Sequence, residues 1–267
     1  MDWSDYEAAL FDLDGVVTPT AEVHMHAWAK MFNDFLAARG DSAPYTAEDY
    51  FTYVDGKPRS DGVRSFLASR GIELPDGSPD DGPEAETVHG LGNRKNGYFG
   101  QVLADEGIAP YPGSLRLLDL LRERGTPMAI VSSSRNAPDV LEAAGVSHYF
   151  PVVVHGGVAA EQGLDGKPAP DTFLYAAREL GVTADRAVVL EDAVSGVRAG
   201  AAGAFALVIG VDRGVGADQL RDAGADVVVT DLDQLLPPGG AGGAGATGAT
   251  DATGATDGET AESGAER

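Results

Sequence analysis

Between Ala8 and Gly15 the chain reads AALFDLDG: four apolar residues, two aspartates one residue apart, then glycine. An apolar run that short is too brief for a helix and has the length of a buried strand. Alternate strand residues share a face, so Asp12 and Asp14 start on one side with Leu13 between them. Gly15 lets the chain turn away at little steric cost. A strand that ends in carboxylates delivers them to the edge of a sheet, where they can bind a hard cation and divide nucleophilic from acid–base work. A calcium loop starting at Asp12 is the competing reading. It fails because Gly15 falls too early and Val23 stands where the closing glutamate belongs.

Downstream of this turn, Trp28, Met31, Phe32, Phe35 and Leu36 recur at helical spacing, with Thr20 as a candidate cap and Gly40 as the stop. His24 lies one turn before Trp28 and reads either as a core histidine or as a substrate-facing one. Residues 43–103 look helical and irregular. Leu74 to Pro83 (LPDGSPDDGP) reads as an acidic loop, and Glu84 to Glu106 as a helical segment weakened by Gly90, Gly92, Gly97 and Gly100.

From Tyr111 the pattern becomes strand–helix alternation. Strands are predicted at Met128–Ser132, Val152–His155, Ala187–Leu190, Phe205–Ile209 and Val227–Val229. Helices are predicted after Ser114, Pro138 and Pro170, around Val194–Val197, and over Gln219–Ala223. Nearly continuous apolar strands between helices predict an α/β fold: a Rossmann-like parallel sheet covered on both faces, with its ligand site at the carboxyl ends of the strands. The predicted organisation is a core of residues 1–18 and 106–236, an inserted helical cap of 19–105, and a tail of 237–267. The Gly/Ala/Thr/acid tail has no apolar periodicity and is expected to be disordered.

With 267 residues and 43% hydrophobic content the chain can bury a substantial core. It has no cysteine, so disulfides and thiolate metal sites are excluded. Acids near the N-terminus argue against a signal peptide, and apolar runs such as Ala204–Ile209 are too short to span a bilayer. A cytoplasmic monomer is expected. A net charge of −23 predicts no binding to nucleic acid or anionic membrane. Anions must therefore be held by a few focused cations, helix N-termini or a metal.

Further polar clusters end the later strands: Ser132, Ser133 and Ser134 followed by Arg135 and Asn136; Lys167 before a helix; Glu191 and Asp192. Singly, each has an ordinary reading as a cap, a surface lysine or an acid pair at a helix start. Jointly they define one cleft. There Asp12 and Asp192, with the Asp14 carbonyl and Glu191 alongside, can hold Mg²⁺. Lys167 offsets the carboxylates, and Ser132 donates to a phosphoryl oxygen. Asp12 can attack phosphorus, while Asp14 moves the proton of the leaving or attacking oxygen. The competing G-x-x-x-x-G-K-[ST] and G-x-S-x-G motifs are missing.

FDLDGV, Ser132, Lys167 in KPAPD and Glu191-Asp192 in EDAVSGVRAG resemble the four motifs of the haloacid dehalogenase superfamily of phosphotransferases, in its helical-cap subgroup. The resemblance implies a mobile cap, Mg²⁺ and the roles just given. Thr20, Ala21, Glu22, His24 and Trp28 further resemble the start of the cap in that superfamily's sugar phosphomutases. On that resemblance Arg59 binds the non-reacting phosphate from the cap, and Ser134 and Asn136 bind it from the core with Ser133 and Arg135 beside them. Lys95 in RKNGYF is implied as a second cap contact, and His24 and Trp28 as substrate contacts. The implied reaction is phosphoryl transfer between β-glucose 1-phosphate and glucose 6-phosphate. Phosphatase action on a sugar phosphate is the alternative, and a non-catalytic phospho-ligand sensor a third reading. Pro19, Arg135 and the loop 74–83 depart from the usual pattern.

Overall fold

The computed structural model describes residues 1–40 and 43–237. The tail expectation for 237–267 therefore falls, but for Pro237, outside the described residues. Six parallel strands form one sheet: β1 (Ala8–Phe11), β2 (Met128–Val131), β3 (Val152–Val154), β4 (Ala187–Glu191), β5 (Leu207–Val211) and β6 (Val227–Val229). Their order is β3-β2-β1-β4-β5-β6. The chain winds outward from β1 to one edge, then returns to pair β4 with β1, Leu10 opposite Val189. Order reverses at that pair, which makes the carboxyl ends of β1 and β4 the crevice of the sheet.

Side-chain alternation sends Ala9 and Phe11 to one face and Ala8 and Leu10 to the other. On the first face lie Leu117, Leu118 and Leu121 of α5 (Pro112–Arg124) and Val140 and Leu141 of α6 (Ala137–Ala143). The second is covered by Phe173 and Ala176 of α8 (Asp171–Glu179), Val197 of α9 (Val194–Ala202) and Leu220 of α10 (Ala217–Ala223). Burial on both faces explains why the central strands are apolar throughout.

Between β1 and β2 the chain builds a helical layer with its own core. It comprises α1 (Thr20–Ala38), the short α2 (Ala47–Asp49), a π-helical turn over Tyr50–Val54, α3 (Arg59–Ser69) and α4 (Val88–Glu106). The predicted stripe of α1 is buried here: Phe32 packs 4.2 Å from Phe66 and 5.3 Å from Trp28, ring centroid to centroid. Among the described residues no helix is long and apolar enough to cross a membrane.

Two predicted caps do other work. Helix α1 starts after Pro19, and Thr20, already inside the first turn, turns its hydroxyl to Thr18 and Asp14 instead of to its own helix. Helix α5 starts three residues earlier than expected because Pro112 suits the first turn. Ser114 then lies within the helix and donates to the Val16 carbonyl at 2.6 Å. One helix had no signal in the sequence, α7 (Gly156–Gln162), a short glycine-led turn capped by His155.

Candidate active site

The site begins where β1 ends. The Asp12 amide still pairs with the Leu190 carbonyl at 2.9 Å, which ties the first aspartate to the neighbouring strand. Beyond it the chain folds back tightly: Val17 and Thr18 both donate to the Leu13 carbonyl, and Gly15 donates to Thr18. Gly15 has φ +85°, and a Cβ there would overlap the Asp192 carboxylate. Glycine is thus required both for the turn and for the approach of Asp192, the acid just after β4.

Asp12, Glu191 and Asp192 each place a carboxylate oxygen within 4.8 Å of the other two. Lys167 reaches them from below, donating to Asp12 at 2.6 Å, Glu191 at 2.5 Å and the Val131 carbonyl at 3.0 Å. The second Glu191 oxygen accepts from the Ala193 amide at 2.7 Å. One lysine does not balance three carboxylates. Burial, then the neighbouring Glu191 charge, pushes Asp12 well above the usual carboxylate range against the pull of Lys167. Burial, Glu191, Asp55 and Asp12 do the same to Asp192. Oxygen-only ligands, excess negative charge and a partly open Asp192 suit a hard divalent cation, which would return both groups to their ionised form.

Asp14 faces another way. It accepts from the Thr20 hydroxyl, lies 3.5 Å from Ser132 Oγ and 3.3 Å from His24 Nε2. His24 stacks on Phe99 at 4.0 Å, and its Nδ1 meets the buried Lys95 Nζ, itself 4.9 Å from the Phe99 ring centre. Burial alone would raise Asp14, yet His24, Thr20 and Lys95 outweigh it and hold it down at about 2. Lys95 is lowered to about 7 by burial and by Arg59. Burial and Lys95 likewise lower His24.

A cavity of about 400 Å³ lies above these groups. Asp12, Asp14, Ser132, Glu191 and Asp192 line its core side, and His24, Trp28, Arg59 and Lys95 its helical side. Ser133, Ser134 and Arg135 line it from the segment after β2. Burial and then the nearby Arg135 charge lower Arg59, as expected of two guanidinium groups that line the same cavity. Backbone contacts shut the rim: Ser133 Oγ donates to the Gly56 carbonyl at 2.9 Å and Ser195 Oγ to that of Asp55 at 3.3 Å. A Cβ on Gly56 would overlap Ser195 Oγ.

Residues 6–203 match the sequence profile of the haloacid dehalogenase-like hydrolases. The chain belongs to this family. It is 53% identical over 238 residues to the β-phosphoglucomutase of Mycobacterium tuberculosis, an overlap of 86% of this chain and 91% of that protein. An uncharacterized glycosyl hydrolase of the same organism is 40% identical over 232 residues, 85% of this chain but 17% of that protein. The crystal structure of a β-phosphoglucomutase from Clostridium difficile superposes with a TM-score of 0.69 at 26% identity, covering 86% of this chain and 93% of the other.

Within this haloacid dehalogenase-like fold, nearly all the side chains singled out from sequence converge on the cavity. Two stand behind it. Lys167 is buried beneath Asp12 and Glu191. Asn136 turns its amide to Asn96 Oδ1 at 2.6 Å, a bond between the core and the helical layer, while its backbone N–H donates to Ser134 Oγ at 3.2 Å. Sequence reasoning passed over Asp55, which lines the cavity with a carboxyl raised to about 7 by burial and the Glu191 charge, and which pairs with the Tyr50 hydroxyl. Its one signal was the adjoining Gly56, whose φ of +69° marks a tight turn.

Proposed function

We propose that this protein is a β-phosphoglucomutase, interconverting β-glucose 1-phosphate and glucose 6-phosphate through a phosphorylated Asp12. The observation that carries this reading is one cavity lined at once by the Asp12 cluster, which suits a metal and a transferring phosphoryl group, and by Arg59 and Arg135, which suit a second phosphate. A phosphatase needs the first set only. The 53% identity to the mycobacterial β-phosphoglucomutase supports the same reading.

Phosphorylated Asp12 gives its phosphoryl group to the free sugar hydroxyl, and Asp14 takes the hydroxyl proton. Asp14 suits that step because its neighbours hold it ionised. The resulting bisphosphate turns over, so that Arg59, Arg135 and Ser134 grip the phosphate just formed. Asp12 then attacks the other phosphorus, and Asp14 returns the proton to the departing sugar oxygen. Ser132 donates to the moving phosphoryl group, and Lys167 holds Asp12 oriented for attack. Mg²⁺ held by Asp12, Asp192 and the Asp14 carbonyl, with Glu191 bracing the site, would neutralise charge on the phosphoryl oxygens. Residues 19–105 act as a cap over the core of 1–18 and 106–236, excluding the water that would hydrolyse phosphorylated Asp12. The cysteine-free composition fits a reducing, cytoplasmic setting.

The test is a coupled dehydrogenase assay with β-glucose 1-phosphate, Mg²⁺ and a trace of glucose 1,6-bisphosphate, with free phosphate followed in parallel. Fast glucose 6-phosphate with little free phosphate is expected. Free phosphate keeping pace with substrate loss would establish a phosphatase instead. Arg59→Ala is expected to raise KM for β-glucose 1-phosphate at least tenfold, as loss of a charge-assisted anion contact should.

A further inference from the structure

Asn93 lies two residues before Lys95 on α4, and all three of its polar side-chain positions are engaged. Its Oδ1 accepts from Arg59 Nη2 at 2.9 Å, and its Nδ2 donates to the carbonyls of Pro79 at 3.0 Å and Asp81 at 2.8 Å. It therefore joins the acidic loop 74–83 to the arginine on which the distal phosphate reading rests. The loop end of this connection is fixed. Asp81 accepts from the Thr87 hydroxyl at 2.5 Å and the Ser78 amide at 3.1 Å, and Thr87 in turn caps α4 through the Gly90 amide. Helix amides continue the seam, Val88 to Pro75 and His89 to Asp76. Gly92 keeps the space beside it clear, since a Cβ there would stand 3.2 Å from Arg59 Cγ. Pro79 and Arg59 line the same cavity.

We propose that Asn93 is a positioning residue for Arg59, and that through it the acidic loop 74–83 sets where the non-reacting phosphate is held. An arginine has many rotamers, and one tethered through Oδ1 is ordered before substrate arrives. The loop reaches the cavity wall at Pro79, so its conformation and the arginine's position move together. The loop that departs from the family pattern thereby becomes part of the specificity machinery, deepening the phosphomutase reading rather than adding a second site.

A double-mutant cycle tests this, with KM and kcat for β-glucose 1-phosphate measured for wild type, Arg59→Ala, Asn93→Ala and the double variant, together with thermal midpoints. Asn93→Ala is expected to raise KM about tenfold in the wild-type background and less than about twofold when Arg59 is already absent. A structural role would lower activity equally in both backgrounds, and that additive result overturns the inference while leaving the Arg59 reading intact. An unchanged KM in Arg59→Ala alone overturns the Arg59 reading, and the inference with it. Asn93→Asp preserves size and the Oδ1 acceptor but removes both loop donors. Raised KM is expected here too, and a wild-type KM overturns the part assigned to the loop.

Discussion

Replacing Asp192 by asparagine should make the metal-free protein more stable while destroying its activity. Asp192 Oδ lies within 4.8 Å of the Asp12 and Glu191 carboxylates, and Lys167 is bonded to the other two acids rather than to Asp192. Like charges about 4 Å apart repel by about 4 kcal/mol at an effective dielectric of 20. Asp192 keeps some solvent contact, so the net relief on neutralising it is about 1–2 kcal/mol. For a chain of this size that amounts to a rise in Tm of roughly 2–8 °C. The sign follows from linkage: a carboxyl raised in the folded state costs stability that appears as pH climbs above its ordinary value of 3.8. The gap between variant and wild type should therefore narrow toward pH 4 and widen toward pH 7. Mg²⁺ reverses the order, since a cation at a hundred times its Kd adds about 2.7 kcal/mol to the protein that binds it. Scanning calorimetry in EDTA and in Mg²⁺, at pH 4.5 and 7, measures all four cases. The reasoning is refuted if the EDTA form of Asp192→Asn melts at or below wild type, or if Mg²⁺ raises both midpoints equally.

Gly56→Ala puts a methyl group against Ser195 Oγ at a φ of +69°, so the helical layer is pushed away from this contact. Mutase turnover should fall about tenfold or more, and the share of substrate lost as free phosphate should rise, as water gains access; an unchanged partition would show that this contact does not exclude water. Lys95, lowered to about 7, should make kcat/KM fall as pH rises through neutrality, and Lys95→Met should lack that limb. The same depressed lysine contributes stability that is full above about pH 10 and lost as pH falls through 7, so pH-dependent melting of the Lys95→Met variant should be flatter there.

The core was legible because its physics is local. A strand buried on both faces must be apolar throughout, and residues placed just after such strands must meet at one edge of the sheet. Asp12, Ser132, Glu191 and Asp192 follow from that alone. Strand ends were less legible: the run from Phe205 gives no stop signal, and β5 starts two residues later because Phe205 is used to pack against Phe173. The helical layer hid more. Gly92 in α4 read as a weakness, whereas it clears space for Arg59. Thr20 carries the letter of a helix cap but spends its hydroxyl on Asp14. Asn93 and Asp55 are ordinary polar letters whose meaning depends on partners 34 residues away for one and on the opposite side of the cavity for the other.

The bonds that close the rim have a further consequence. Ser133 and Ser195, beyond the sheet's strands, grip the carbonyls of Gly56 and Asp55, which belong to the main chain of the helical layer. A main-chain carbonyl is the same whatever side chain accompanies it. Apart from the glycine that the close approach demands, the latch is therefore blind to the sequence of the helical layer. Mutations that reshape the cavity from the helical layer can accumulate without loosening these two bonds. In evolutionary terms the molecule separates what it recognises from how it shuts, and a lineage can explore new sugars on an inherited clasp.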